Sequence, residues 1–365
     1  MLTLSVLKAD IGSIGGHTEP TRKMLQTALA VLKNEVDEGL INDALVTNTG
    51  DDVCLTIVHE HGKGADRIHQ LAWMIFEQLT EVAKEQGLYG AGQDLLVDAP
   101  SGNIRGAGPA VAEIELNDRA AEAFMIFAAD KCGPGAYNLP FYQTFCDPMH
   151  NGGLLLNPKL NKGFVLHVID MDHTEGDRII KLNIPEDNWN AAALLRDIDR
   201  YAIEGVYSRH DGSQVLSASA TRLHNISGVY SGKDDPIAIV RVQGAYPAPE
   251  EVVEPWMFGH WVTGDCRGSH NMPIVPMPIN SPVAGPYCLP IVSAITCSLT
   301  KDGKISYVDI FGDQIWDSVR HRITEKAVDF RRQGCFGIAM ASEAELAYTG
   351  ITETVAALDE RFEVR

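Results

Sequence analysis

A lysine three residues after a tyrosine, with two aspartates behind it, brings unusually varied chemistry into one stretch: Gly228-Val229-Tyr230-Ser231-Gly232-Lys233-Asp234-Asp235-Pro236. The amine of Lys233 can form a Schiff base with a carbonyl, and the phenol of Tyr230 can move protons beside it. Asp234 and Asp235 offer hard oxygen to divalent cations. The same composition is good turn material, so the segment alone does not separate a reactive loop from a surface turn.

Further acids stand where apolar runs stop and glycines begin. Asp10 closes the first such run, and His17 lies beyond Gly12-Ser13-Ile14-Gly15-Gly16. Asp51 and Asp52 follow Gly50, Gln93 stands in Tyr89-Gly90-Ala91-Gly92-Gln93-Asp94, and Asp130-Lys131 precedes Cys132-Gly133-Pro134-Gly135. Neighbours on a regular strand point to opposite faces, so Asp51 and Asp52 serve one site only at a turn or bulge, or by straddling two ions. Gly50 supplies the freedom for a turn. One Asp-Asp pair is ordinary in a solvated turn, and a lone histidine is ordinary in a loop. Six carboxylates with a histidine and a glutamine, all near glycines, point instead to oxygen-rich ligation of Mg²⁺, Mn²⁺ or Ca²⁺ and away from zinc.

Three other groupings are weaker. His59 and His61 share a strand face, but Lys63-Gly64 follows, which reads as a strand end. Asp170-Met171-Asp172-His173 has the makings of a second metal corner. Gly102-Asn103-Ile104-Arg105-Gly106-Ala107-Gly108 has the small residues of a phosphate-cradling loop. It lacks the lysine and serine of a P-loop, so nucleotide binding is not supported, and no Rossmann fingerprint opens the chain.

The elements that must position these groups read as alternating strands and helices. Strands are expected at residues 2–8, 53–58, 163–170, 291–298 and 305–309, and helices at 21–38, 65–86, 189–201 and 314–333. Residues 120–129 read as a strand or short helix, and 246–290 as a long Pro/Gly-rich connection. The pattern predicts a layered α/β protein around one shared core. The chain has 365 residues, 45% hydrophobic and 22% charged, with no apolar run of membrane-spanning length. Its net charge of −19 argues against binding nucleic acid, and would repel an anionic substrate unless metal neutralised the acids. Seven scattered cysteines without a Cys-x-x-Cys, and a start unlike a signal peptide, indicate reduced thiols in the cytoplasm.

Taken together the motifs resemble the archaeal-type fructose-1,6-bisphosphate aldolase/phosphatase family, bifunctional gluconeogenic enzymes of archaea and early-branching bacteria. The likeness runs from Ala9-Asp10-Ile11-Gly12-Ser13 through Gly50-Asp51-Asp52, Ala129-Asp130-Lys131 and Tyr230-Ser231-Gly232-Lys233-Asp234-Asp235-Pro236 to Tyr348-Thr349-Gly350. The resemblance implies one domain over residues 1–365, a four-layer α-β-β-α sandwich assembled as a homo-octamer. It implies Lys233 as the Schiff-base lysine, Tyr230 as its proton-transfer partner and Asp10 as the phosphatase base. Asp10, His17, Asp51, Asp52, Gln93, Asp130, Asp234 and Asp235 would bind three or four Mg²⁺, with no organic cofactor. His17, Tyr89, Gly102, Asn103, Lys131, Gln243, Arg267 and Tyr348 would meet substrate. The family's acidic substrate contact in the stretch equivalent to 281–292 has no acid here. The substrates would be dihydroxyacetone phosphate, glyceraldehyde 3-phosphate and fructose 1,6-bisphosphate. The alternatives are a metal-dependent sugar-phosphate phosphatase without an aldolase step, and a non-catalytic Mg²⁺ sensor.

Overall fold

The computed structural model describes residues 1–95, 108–116, 119, 122–173, 176–219, 233–264, 270–283, 289–332 and 350–365. The first part of the chain forms β1 (Thr3–Asp10), α1 (Arg22–Asp37), β2 (Asp43–Thr49), β3 (Asp52–His59), α2 (Asp66–Glu85) and β4 (Ala110–Glu115). Its strands make an antiparallel sheet ordered β2-β3-β1-β4. The chain continues as β5 (Glu122–Asp130), α3 (Asn138–Cys146), α4 (Gly153–Leu156), β6 (Phe164–Asp170), β7 (Arg178–Ile184), α5 (Asn188–Leu195), β8 (Tyr201–Ser208), β9 (Gln214–Ala218) and β10 (Ile237–Val242). It ends with α6 (Pro249–Val253), β11 (Trp261–Gly264), β12 (His270–Pro273), β13 (Val275–Pro276), β14 (Ile291–Leu299), β15 (Ile305–Asp309), α7 (Ile315–Arg332), α8 (Ile351–Leu358) and β16 (Glu363–Val364). The second sheet runs β13-β14-β5-β10-β9-β8-β6-β7-β16, with β15 also on β14, while β11 and β12 form a separate ribbon.

Strand alternation and helix periodicity sort the apolar side chains into separate cores. Met24, Ala28 and Leu32 of α1 fall four residues apart, and Ile68, Ala72, Ile75, Phe76, Leu79 and Ala83 of α2 keep similar spacing. These faces pack on Leu7 and Ala9 of β1 and Val53, Leu55 and Ile57 of β3. The other face of that sheet, with Leu4, Val6, Cys54, Ala112 and Ile114, meets Phe124, Ile126, Ile237, Ile239 and Ile295 of the second sheet. The alternate residues Met125, Phe127, Ala238 and Val240 join a third core with Phe141, Phe145, Trp256, Phe311 and Ile323. Strands buried on both faces read as continuous apolar runs, which explains 123–129 and 237–240. Phe127, stacked on Trp256 at 5.3 Å, anchors this third core, so Phe127→Ala should cost roughly 3–5 kcal/mol.

The expectation of one shared core is therefore corrected to several, because the central strands bury both faces. Helix α1 starts as expected after Thr21, whose Oγ1 accepts from the Met24 N–H at 3.3 Å. The helix expected over 189–201 stops at Leu195, and Tyr201 already opens β8. The stretch 246–290 is no bare connection, since it contains α6, β11, β12 and β13. Asp170 is not a metal corner: Arg178 Nη1 donates to it at 2.8 Å, and Arg200 grips both its oxygens at 3.0 and 2.9 Å. No helix among the described residues is long and apolar enough to cross a membrane.

Candidate active site

Strand ends from both sheets bring the acids together. Asp10, the last residue of β1, lies directly opposite Asp52, the first residue of β3. Thr49 pairs with Asp52, so the β2–β3 turn consists of Gly50 and Asp51 alone. Asp51 thus sits in a tight turn and escapes the strict alternation of a strand. Gly50 has φ +56°, and a Cβ there would overlap Asp130 Oδ2. Only glycine lets this hairpin abut the end of β5, where Asp130 Oδ2 accepts the Asp51 N–H at 3.2 Å.

Two loops complete the cluster from the second sheet. Lys131 and Asp235 both hold left-handed backbone, φ 59° and 49°, a conformation costly for non-glycine residues and concentrated at functional sites. The loops lock together: the Asp235 N–H donates to Cys132 O, and the Cys132 N–H to Asp235 Oδ1, both at 2.8 Å. Lys131 Nζ donates to Asp51 and lies 2.8 Å from Asp130 Oδ1. Lys233 is 2% exposed, with Nζ 2.5 Å from Asp234 Oδ1 and 3.9 Å from Asp94 Oδ2. Asp94 Oδ2 also accepts the Asp10 N–H at 2.9 Å, tying the Lys233 loop to the end of β1. His17 Nδ1 bridges Asp51 Oδ2 at 3.2 Å and Asp10 Oδ2 at 3.8 Å. Half-exposed Tyr89 stands edge-on to the His17 ring at the rim.

The acids outnumber the cations that answer them. Burial and the Asp51 charge push the Asp10 pKa up to about 7, against the pull of His17. Burial raises Asp130 and Asp235 well above the carboxylate range; Asp51 and Asp52 add to this at Asp130, and Asp234 and Asp52 at Asp235. Burial alone would raise Asp51 too, but Lys131 and His17 outweigh it and hold that acid below the usual range. Hydrogen bonds to Asp10 and Asp51 lift His17 to about 10. Burial would lower Lys233, yet Asp234, Asp94 and Asp235 prevail and raise it.

The donor set fits hard divalent cations. Ligand atoms of Asp10, His17 and Asp51 lie within 4.8 Å of one another, as do those of Asp51, Asp52 and Asp130. Among the described residues Asp130 Oδ1 is buried with no hydrogen bond, although the Lys131 ammonium lies 2.8 Å away. A divalent ion there would relieve the repulsion that Asp51, Asp52 and Asp235 exert on Asp130, which the Lys131 ammonium offsets only in part. Gln93 opens a 3₁₀ turn, Gln93–Leu95, that carries Asp94.

Not every expected residue joins this group. Gln243 follows β10, whereas Asp235 precedes it, so the strand separates them by roughly 20 Å or more at its usual rise. Gln243 therefore lies apart from the acids. Gly102, Asn103, Tyr230, Arg267 and Tyr348 lie outside the described residues. Sequence reasoning missed Lys8 and Asp94. Lys8 carries a visible signal, a charge inside the apolar run of β1, while Asp94 stood in a quoted motif and was passed over for Gln93.

Fold and site together define an α/β protein with a buried polycarboxylate centre suited to divalent cations. A family model described as fructose-1,6-bisphosphatase matches residues 1–363, and the chain belongs to that family. A fructose-1,6-bisphosphate aldolase/phosphatase of Thermus thermophilus is 49% identical over 362 residues, covering 99% of each chain. Proteins of the same name from Thermococcus kodakarensis and Methanothermobacter marburgensis are 42% and 39% identical, each covering 99% of this chain and 98% of the relative.

Proposed function

We propose that this chain is a bifunctional enzyme that condenses two triose phosphates to fructose 1,6-bisphosphate and then hydrolyses the 1-phosphate to give fructose 6-phosphate. The observation that carries this reading is the burial of the Lys233 amine against Asp234 and Asp94, with Asp94 also holding the Asp10 backbone. An amine for carbonyl chemistry and acids for phosphate chemistry thus share one wall. The family match and the relatives' names support the same assignment.

Lys233 Nζ attacks the ketone carbon of dihydroxyacetone phosphate, and loss of water leaves an iminium that draws electrons from the neighbouring carbon. Tyr230 removes the proton there, and the enamine adds to the aldehyde carbon of glyceraldehyde 3-phosphate. Water then releases fructose 1,6-bisphosphate and the free amine. Lys233 must shed its proton to attack, so the pull of Asp234 and Asp235 on it has to be lessened. Three or four Mg²⁺, held by Asp10, His17, Asp51, Asp52, Gln93, Asp130, Asp234 and Asp235, would supply charge compensation, polarisation of the 1-phosphate and an acidified water. Asp10 takes the proton of the attacking water, and Lys131, His17 and Tyr89 bind and orient phosphate and hydroxyl groups at the mouth. Gln243 reaches this substrate only from a neighbouring copy, which suits a homo-octamer. Gly102, Asn103, Arg267 and Tyr348 complete the substrate contacts in this proposal.

The order of the cores supports a single-domain, four-layer α-β-β-α sandwich. Buried free thiols at Cys54, Cys132, Cys146 and Cys297 suit the cytoplasm. The test is a pair of assays on Lys233→Arg. This variant should still release phosphate from fructose 1,6-bisphosphate within about tenfold of wild type, but make no fructose 6-phosphate from trioses. Wild-type protein that hydrolyses the bisphosphate yet never condenses trioses would leave only the phosphatase.

A further inference from the structure

Lys8 lies where a lysine is least expected. It is 1% exposed, in mid-strand, with its backbone paired to Cys54 of β3 on one side and Ala110 of β4 on the other. Alternation puts it on the same face as Leu4 and Val6, toward the second sheet. An ammonium buried there is strongly unfavourable unless an acid answers it. Nζ donates to Asp52 Oδ2 and feels the charges of Asp235 and Asp130, while Lys233 repels it.

Lys131 shows what is special about this position. It also answers the acids, but from a loop with left-handed backbone at the end of β5, where it pairs with Asp51 and Asp130 together. Lys8 is held between two strands and has nowhere else to go. Its charge stays behind Asp52 whatever enters the cluster.

We propose that Lys8 is a built-in counter-cation of the metal centre, a positioning residue that fixes Asp52 and limits how tightly the acids take divalent ions. This rests on reading the cluster as a metal centre. With Oδ2 committed to Lys8, Asp52 is held in the group it forms with Asp51 and Asp130. Every divalent ion that binds does so against a fixed positive charge, so the cluster binds ions less tightly than its carboxylates alone would.

The test uses the full chain and Mn²⁺ alone, with free Mn²⁺ followed by electron paramagnetic resonance. Lys8→Met keeps the length and removes the charge. It should bind Mn²⁺ about tenfold more tightly than wild type, with a lower phosphatase kcat because Asp52 is released. Lys8→Arg should keep wild-type affinity. A merely structural role would weaken metal binding, so unchanged or weaker binding by folded Lys8→Met overturns the proposal. Wild-type protein that binds no Mn²⁺ overturns the metal-centre reading, and this inference with it. If Lys8→Met does not fold, Asp52→Asn is compared with the Lys8→Met/Asp52→Asn double variant. The double variant should melt at the higher temperature, and one no more stable than Asp52→Asn overturns the proposal.

Discussion

At the start of β1, the Ser5 hydroxyl stands 2.8 Å from His59 Nε2 and 2.7 Å from Glu113 Oε1; at its end, Asp10 faces Asp51 and Asp52. The first constellation is closed. The His61 N–H donates to His59 Nδ1, so the ring proton sits on Nε2 and points at Ser5, whose hydroxyl donates on to Glu113. Glu113 also accepts from His69 Nε2 at 3.1 Å and from the Gly64 N–H at 2.6 Å. Ser5 therefore meets its histidine as a donor, and its acceptor is a carboxylate that burial would raise but that His69, Ser5 and Gly64 hold below its usual range. A serine, a histidine and a glutamate in contact thus make a poor nucleophile here. The second constellation is open, with acids raised by burial and by one another and Asp130 Oδ1 left without a hydrogen bond. Residue types alone do not mark a reactive site. Buried acids crowded against one another do.

The largest effect that would sharpen this contrast is at the open end. Asp10→Asn should lower phosphatase kcat on the order of 10²–10⁴-fold while raising the melting temperature of the metal-free protein, because it relieves repulsion. A variant that is both inactive and less stable without metal would break the contrast. Gly50→Ala should cost about 2–3 kcal/mol and depress both activities, since its Cβ and φ conflict with Asp130 and the turn. Urea titration compares it with wild type.

Acid should act on the closed end. Burial lowers the His59 pKa to about 4, so below about pH 6.5 the unfolded chain takes the proton first. The stability this neutral ring contributes is complete above that pH and is lost as pH falls from 6.5 toward 4, by up to roughly 3 kcal/mol. His260 and His167, also lowered to about 4 by burial, add to the same slope. Denaturation in chelator at successive pH values measures it, and His59→Asn should flatten it. The smallest effect is Glu113→Gln, which should cost about 1–3 kcal/mol of stability and leave both kcat values unchanged. A matching loss of turnover would tie the two ends together.

Much of the open end was legible in the sequence because its geometry follows from local signals. Gly50 before Asp51 announced a turn, and the ends of the runs at Asp10 and Asp130 placed those acids at strand termini. Lys8 was overlooked because a charge within a strand pattern reads as a solvent-facing position, and only the second sheet shows that this face is buried. Asp94 acts through a backbone N–H 84 positions away, which no spacing rule reveals. Strands β7, β8 and β9 went unread because polar residues interrupt them, and in β8 an extra residue, Glu204, shifts the register against β6. Gln243 shows the limit of motif transfer, since a residue expected at the site by motif follows β10 while the acid pair precedes it.

The central claim is that the Lys233 amine and the acid cluster work as one pocket. Borohydride reduction with dihydroxyacetone phosphate, followed by peptide mass spectrometry, tests it most directly. A reduced triose adduct on Lys233, with a yield that falls when metal is chelated, is the predicted result. No adduct on Lys233, or an adduct formed equally well in chelator, would contradict the account.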